Sequence, residues 1–185
     1  CKNLTEMILP ESVTRIETQV FLGCTTLKSV TIPDSLVEMG SAVFGNAPAL
    51  TDVRISPDHP VYEMIGSLLV DKQNMEIVSA LPGTPSVCEI PEGIRSIGPM
   101  AFQVCAGLWK VTVPEGVTRI GWNAFSNCVC LHEITLPASL EEIGDRAFED
   151  CAEDLLIKAP AGSRAEQYAR ENGYRFEALP ADGAD

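Results

Sequence analysis

The amino-acid sequence predicts a strand-rich α/β solenoid, a stack of short rungs rather than a domain folded round one central core. Three observations carry that reading. Ile94 to Cys105, Val117 to Cys128 and Leu140 to Cys151 spell one pattern at a constant 23-residue offset. A fixed period of that size marks a repeat that buries its apolar face only against its neighbours. Each unit opens on a short apolar alternation that ends in proline, and five of the six phenylalanines share one column, at Phe21, Phe44, Phe102, Phe125 and Phe148.

The first segment of each unit reads Leu4-x-x-Met7-x-Leu9-Pro10, Leu27-x-x-Val30-x-Ile32-Pro33, Leu108-x-x-Val111-x-Val113-Pro114 and Leu131-x-x-Ile134-x-Leu136-Pro137. Alternation of this kind predicts a strand with one buried face. Proline, with no N–H to donate and its φ fixed by the ring, turns the chain out of the ladder at the same point in every rung. A second apolar pair follows, such as Val117 and Ile120. It is followed in turn by Gly40, Gly98, Gly121 or Gly144, where a left-handed or crowded backbone is expected, while Glu17 departs from that column. The unit closes on a small residue and the phenylalanine, which reads as a stacked core spine rather than a ligand platform.

The rhythm changes between Pro33 and Pro91, which lie further apart than two whole repeats would place them. Gly66–Val70 and Met75–Val78 read as two strands of a hairpin joined by the polar turn Asp71–Asn74. Cys88-Glu-Ile90-Pro91 then restores the strand. Beyond Cys151 the pattern breaks, since Leu155 falls one residue late. Ser163-Arg-Ala-Glu166 resembles a capping box, and a short helix ending at Gly173 is expected to close the stack with Ala165, Tyr168 and Ala169. The organisation read from this is repeats over 1–55 with the N-terminal end cut, an irregular hairpin insert over 56–87, repeats over 88–154, a cap over 155–178 and a tail over 179–185.

Composition restricts function. No apolar run is long enough for a membrane-spanning helix, and a formal charge of −13 disfavours nucleic acid and anionic lipid. The chain opens without a signal peptide, and the array is expected to continue upstream. Cys1, Cys24, Cys105, Cys128 and Cys151 occupy one repeat column, with Ala47 in the same place, which predicts small buried thiols rather than a disulfide framework. That register also favours a core role for Cys1 over lipid attachment. Cys130 lies outside the column and is the expected reactive thiol.

The 23-residue period, the Leu-x-x-Val-x-Ile-Pro strand and the Ile-Gly-x-x-Ala-Phe turn followed by Cys resemble the BspA-like leucine-rich repeats of bacterial surface proteins. The resemblance covers nearly all of residues 1–154. It implies a right-handed leucine-rich-repeat superhelix with short helical turns, and a secreted or surface-anchored module that binds other proteins. It implies no reaction and no cofactor.

The two histidines, His59 and His132, stand about three repeats apart, and Cys-x-x-Cys, His-x-x-x-His and phosphate-loop patterns are missing, so catalysis is not expected. Binding is expected on the variable positions that face outward between constant core positions. The candidates are Trp109, Trp122, Lys110, Thr112, His132, Glu133 and Thr135, the two tryptophans being placed on different sides of the rung. A monomer with a protein partner is the resulting expectation, against a passive spacer as the competing one. The acidic column Glu11, Asp34, Glu92 and Glu115, and the cluster from Glu141 to Asp154, read as a solvated face, with a Ca²⁺-stabilised module as the alternative. If the phenylalanine column is the spine of the core, Phe125→Ala lowers unfolding free energy by about 3–5 kcal/mol in urea denaturation.

Overall fold

The computed structural model describes residues 3–180 and contains the stack that the period predicts. Cys1 and residues 181–185 lie outside the described residues. One parallel ladder is built from β1 (Glu6–Ile8), β3 (Ser29–Ile32) and β5 (Asp52–Ile55). It resumes after the insert with β9 (Val87–Glu89), β11 (Lys110–Thr112), β13 (Glu133–Thr135), β15 (Leu156–Pro160) and β16 (Arg175–Leu179). The second apolar pair of each unit forms a further ladder of two-residue strands, β2 (Arg15–Ile16) and β4 (Glu38–Met39), then β10 (Ser96–Ile97), β12 (Arg119–Ile120) and β14 (Glu142–Ile143). Equivalent residues pair directly, for example Val111 with Ile134 and Ile120 with Ile143, so the sequence period is the ladder register.

The return segments expected as short helical turns are tight turns that carry a third ladder. The Phe102, Phe125 and Phe21 N–H groups donate to Ala124, Ala147 and Val43 of the following rung at 2.7, 2.8 and 3.0 Å. Two left-handed residues frame each phenylalanine, as in Met100 (φ 56°) and Val104 (φ 63°) or Asn123 (φ 54°) and Asn127 (φ 60°). L-residues enter this region at a cost of roughly 1–2 kcal/mol, which the inter-rung hydrogen bonds offset. The glycine column is explained by crowding and not by left-handed backbone, since a Cβ on Gly121 would lie 2.5 Å from the Pro99 nitrogen and one on Gly144 would lie 2.4 Å from that of Trp122.

The insert is a three-stranded antiparallel meander, β6 (Tyr62–Ile65), β7 (Leu68–Asp71) and β8 (Glu76–Ala80), one strand more than the hairpin read from the sequence. Its last strand rejoins the array by pairing parallel with β10, Ile77 opposite Ile97. Leu68, Leu69 and Val70 are all buried, and they serve opposite faces of one strand. Leu69 belongs to the N-terminal core, whereas Leu68 and Val70 belong to the C-terminal one. Such a strand reads as a continuous apolar run because neither face meets water. His59 pins the entry to this wall. Its ring is fully buried, Nδ1 accepts the Val61 and Tyr62 N–H groups at 3.1 and 2.9 Å, and Nε2 therefore carries the proton toward Pro33 O at 3.1 Å.

Beyond Cys151 the strand pattern persists, contrary to the reading that it breaks there. Ile157 pairs with Ile134 and Lys158 with Thr135, so Ile157, Ala159 and Pro160 keep the 23-residue offset and only the leading leucine has moved. Helix α1 (Arg164–Asn172) starts at the Ser163 N-cap, which accepts from Glu166 N–H, and stops at left-handed Gly173. Ala165, Tyr168 and Ala169 are its buried residues. The Phe102–Phe125–Phe148 stack, with centroids 4.8 and 5.5 Å apart, ends edge-on against Tyr168 and Tyr174. β16 then adds to β15 and runs to Leu179, the first residue of the expected tail.

Among the cysteines, Cys105, Cys128 and Cys151 stand in one column as free thiols. Burial raises the pKa of all three, to about 12 for Cys105 and Cys151, and the Cys128 and Cys151 thiols donate to Phe102 O and Phe125 O at 3.0 and 3.2 Å. Cys130 is exposed. Crowding at the glycine column yields a paired prediction. Gly121→Ala lowers stability by roughly 1–3 kcal/mol through overpacking. Gly107→Ala, where a Cβ meets nothing within 4 Å, stays within about 0.5 kcal/mol of the parent in the same urea titration.

Candidate recognition face

The outward side chains of the β9–β11–β13–β15–β16 sheet form a continuous polar surface. Alternation along each strand sends Val111 and Ile134 inward and leaves Lys110, Thr112, Glu133 and Thr135 facing out. Register brings Lys110 opposite Glu133 and Thr112 opposite Thr135, with Lys158 following Thr135 in the next strand. Lys110 Nζ lies 2.7 Å from Glu133, Lys158 Nζ lies 3.1 Å from the same carboxylate, and Lys158 approaches Glu177 at 3.5 Å. The row therefore alternates in sign across four strands. The hydrogen bond from Lys110 is the main cause that holds Glu133 below the usual carboxylate range, and Glu133 in turn raises Lys158.

A second row runs along the strand entrances. Trp109 is 47% exposed, and its ring centroid is 6.2 Å from that of His132, tilted by 44°. His132 Nδ1 sits 2.5 Å from Asp154, whose pKa this contact lowers, and Arg175 donates to the Asp154 carbonyl at 3.3 Å. Five of the sequence candidates thus adjoin Trp109 in one surface: Lys110, Thr112, His132, Glu133 and Thr135. Trp122, also 47% exposed, follows β12 on the second ladder and does not join them. Asp154, Lys158, Arg175 and Glu177 belong to the face but were not among the candidates. Pro160, one full period after Pro137, was the signal that placed Lys158 in the outward column.

Glu115, from the acidic column, accepts the Ala138 and Ser139 N–H groups of the next rung at 2.7 and 3.1 Å. Among the described residues no group of three or more His, Cys, Asp or Glu side chains converges on a point that could hold a metal, and no helix is long and apolar enough to cross a membrane.

A match to the BspA type leucine rich repeat region, in six copies over residues 1–67 and 86–164, shows that the chain belongs to that family. The stretch left unmatched takes in β7 and β8, where the meander interrupts the array. Among solved structures the chain is similar to a leucine-rich repeat protein from Eubacterium ventriosum, at 24% identity and a TM-score of 0.75 over 86% of this chain and 43% of that one. It is also similar to a leucine rich cell surface protein from Faecalibacterium prausnitzii, at 22% identity and a TM-score of 0.53, covering 91% and 63% of the two chains. A leucine-rich repeat protein from Bacteroides ovatus gives 24% identity and a TM-score of 0.53 over 96% and 43%. At these identities the likeness is one of fold, and the chain spans less than half of the first of these proteins. A comparison with curated protein sequences finds no significant match.

The alternating charges make the face pH-sensitive in one direction. Because Glu133 titrates lower in the folded than in the unfolded chain, its contribution is present above the ordinary glutamate pKa of about 4.3 and lost as pH falls through its folded value. Glu133→Gln lowers stability at pH 7 by about 0.5–1 kcal/mol. The difference from the parent shrinks as pH falls below the ordinary glutamate range, checked by urea denaturation at pH 7 and through the acid range.

Proposed function

We propose that this chain is a non-catalytic recognition module of a bacterial surface or secreted protein, and that a protein partner docks on the outward face of the β9–β16 sheet. Trp109 carries this reading. Nearly half of its surface is open to water, in a column that other rungs fill with Thr5, Lys28, Thr51, Ser86 and His132. A large, stiff aromatic beside a ring such as His132 is the kind of side chain that dominates interface energetics once water is excluded.

Electrostatics support the same face. In a chain of net charge −13, the Lys110–Glu133–Lys158–Glu177 row is locally balanced, so an approaching protein is not repelled there as it would be by the acids of Glu141–Asp154. Lys110, Glu133 and Lys158 are already held by one another, which limits the side-chain entropy lost on docking. Thr112 and Thr135 supply small hydroxyls between them. Membership of the BspA-type family and the cell-surface description of the Faecalibacterium prausnitzii protein support an extracellular setting.

The test is a binding screen against immobilised extracellular-matrix proteins, host ectodomains and glycans, with Trp109→Ala and Trp122→Ala measured separately. The expected result is a saturable protein ligand whose Kd rises at least tenfold, about 1.4 kcal/mol, in Trp109→Ala at unchanged melting temperature, while Trp122→Ala stays within twofold. A ligand indifferent to Trp109 moves the site elsewhere. Absence of any ligand favours a passive spacer.

A further inference from the structure

The insert leaves one rung of the third ladder unfilled. In regular rungs the Met100, Phe102 and Val104 N–H groups donate to Trp122, Ala124 and Ser126 of the rung after them. Their counterparts Ala42, Phe44 and Asn46 donate to no backbone carbonyl among the described residues, because the chain that would follow has left to build the meander. The opposing rung is likewise short of donors. Ala101 O receives Ala80 N–H at 2.7 Å, but the Gln103 carbonyl receives no backbone N–H among the described residues, whereas Ser126, its equivalent one rung on, accepts from Val104.

Between these two edges lies a cavity of about 280 Å³, bounded by Ala42–Pro48 on one side, Met100–Leu108 on the other and Ser79–Thr84 at its end. Its lining includes Phe44, Leu81, Ala101 and Leu108 and contains no charged side chain, in a protein whose surface is otherwise strongly acidic. Unpaired N–H groups beside apolar surface are the mark of an edge awaiting a strand.

The far end of the stack shows how the chain itself treats the same edge. The last phenylalanine of the column, Phe148, is covered by α1, with the Tyr168 hydroxyl against the backbone of Ala147 and Phe148 and the Tyr168 and Tyr174 rings edge-on to it. Among the described residues the equivalent edge at Phe44 has no helix over it, and Leu81 packs into the same core and leaves Phe44 only 2% exposed. The edge faces the cavity instead.

We propose that this gap is a docking site for an extended, uncharged peptide segment of a partner protein, which inserts as the rung displaced by the meander. Carbonyls of the segment accept from Ala42, Phe44 and Asn46, its N–H groups reach the Gln103 side, and an apolar side chain fills the space toward Phe44 and Leu108. This is strand addition to an open edge, in which main-chain hydrogen bonds supply affinity and the pocket selects the side chain. An uncharged segment is required because nothing in the lining pairs with a charge. The site shares no residue with the Trp109 face and stands whether or not that face binds a partner.

The test selects peptides from a phage-displayed random heptapeptide library on the full chain, with counter-selection on Ala106→Trp and Gly107→Trp. Both residues line the cavity and are exposed, and a Cβ at Gly107 meets nothing within 4 Å, so the substituted side chains are accommodated at the mouth. Uncharged sequences should be enriched that bind the parent at least tenfold tighter than either variant. They should bind Trp109→Ala as well as the parent, and should slow amide hydrogen exchange at Ala42, Phe44 and Asn46 at least tenfold. The proposal is overturned if those amides already exchange in the free protein as slowly as Phe102 and Phe125. It is equally overturned if no peptide is enriched, if the enriched peptides ignore both tryptophan variants or depend on Trp109, or if toluene binds saturably where no peptide does.

Discussion

Neighbouring rungs of this chain exchange backbone hydrogen bonds, forward in the turn ladder, as from Phe125 N–H to Ala147, and backward at the strand entrances, as from His132 N–H to Trp109, and the spacing at which they do so, about 4.8 Å, governs the remaining choices. At that distance two chains turning the same corner touch, which is why Gly98, Gly121 and Gly144 carry no Cβ where the preceding rung's backbone passes. It is also why the phenylalanines land on their neighbours at 4.8 to 5.8 Å, Phe21 on Phe44 before the insert and Phe102, Phe125 and Phe148 in a row after it. The left-handed residues around each ring follow from the same requirement. They aim the N–H groups along the stack in a segment too sharply curved to be a strand.

A stack held in this way has two open edges wherever it stops, and the chain deals with interruption by covering them. At the C-terminal end α1 lays Tyr168 on the last rung, and β16 pairs with β15. At the internal interruption the meander serves as a wall. Leu69 closes the N-terminal core, while Leu68 and Val70 close the C-terminal core from a single strand. His59, buried and with two N–H donors on Nδ1, anchors that wall to Pro33 of the rung before it. The cover is complete for the interior and incomplete for the turn ladder, where the Ala42, Phe44 and Asn46 N–H groups meet no backbone carbonyl among the described residues.

What could be read from the sequence is what packing spells in a restricted alphabet. The phenylalanine column, the Ile-Pro strand ends and the glycine column admit few residue types, so they announce the rungs, the register and the core. The left-handed column Gln19, Ala42, Met100, Asn123 and Arg146 shares no side-chain property, because the ladder and not local preference imposes that conformation. Only Asn123, with Gly23, Asn46, Asn127 and Asp150 in the companion column, hinted at it. The strand Tyr62–Ile65 is bounded by Pro60 and Gly66 and is too short to be distinguished from a loop by alternation. The continuation to Pro160 was hidden because Leu155 draws the eye out of phase, although Ile157 and Pro160 keep the period.

The same distinction applies to the surface. Lys110 and Glu133 as outward residues followed from alternation, and Trp109 and His132 from the column they share with Thr5, Lys28 and Thr51, but the pairing did not, since Glu133 meets Lys158 diagonally on the next strand and only register shows it. That pairing changes the character of the face. With its charges spent on one another, the sheet exerts little long-range attraction, and under the proposed docking discrimination would fall to shape around Trp109 and to hydrogen bonds from Thr112 and Thr135. On the proposed reading, association runs at ordinary diffusional rates and affinity is set by slow release, so variation at Trp109 is expected to act on dissociation and variation in the acidic Glu141–Asp154 surface on approach.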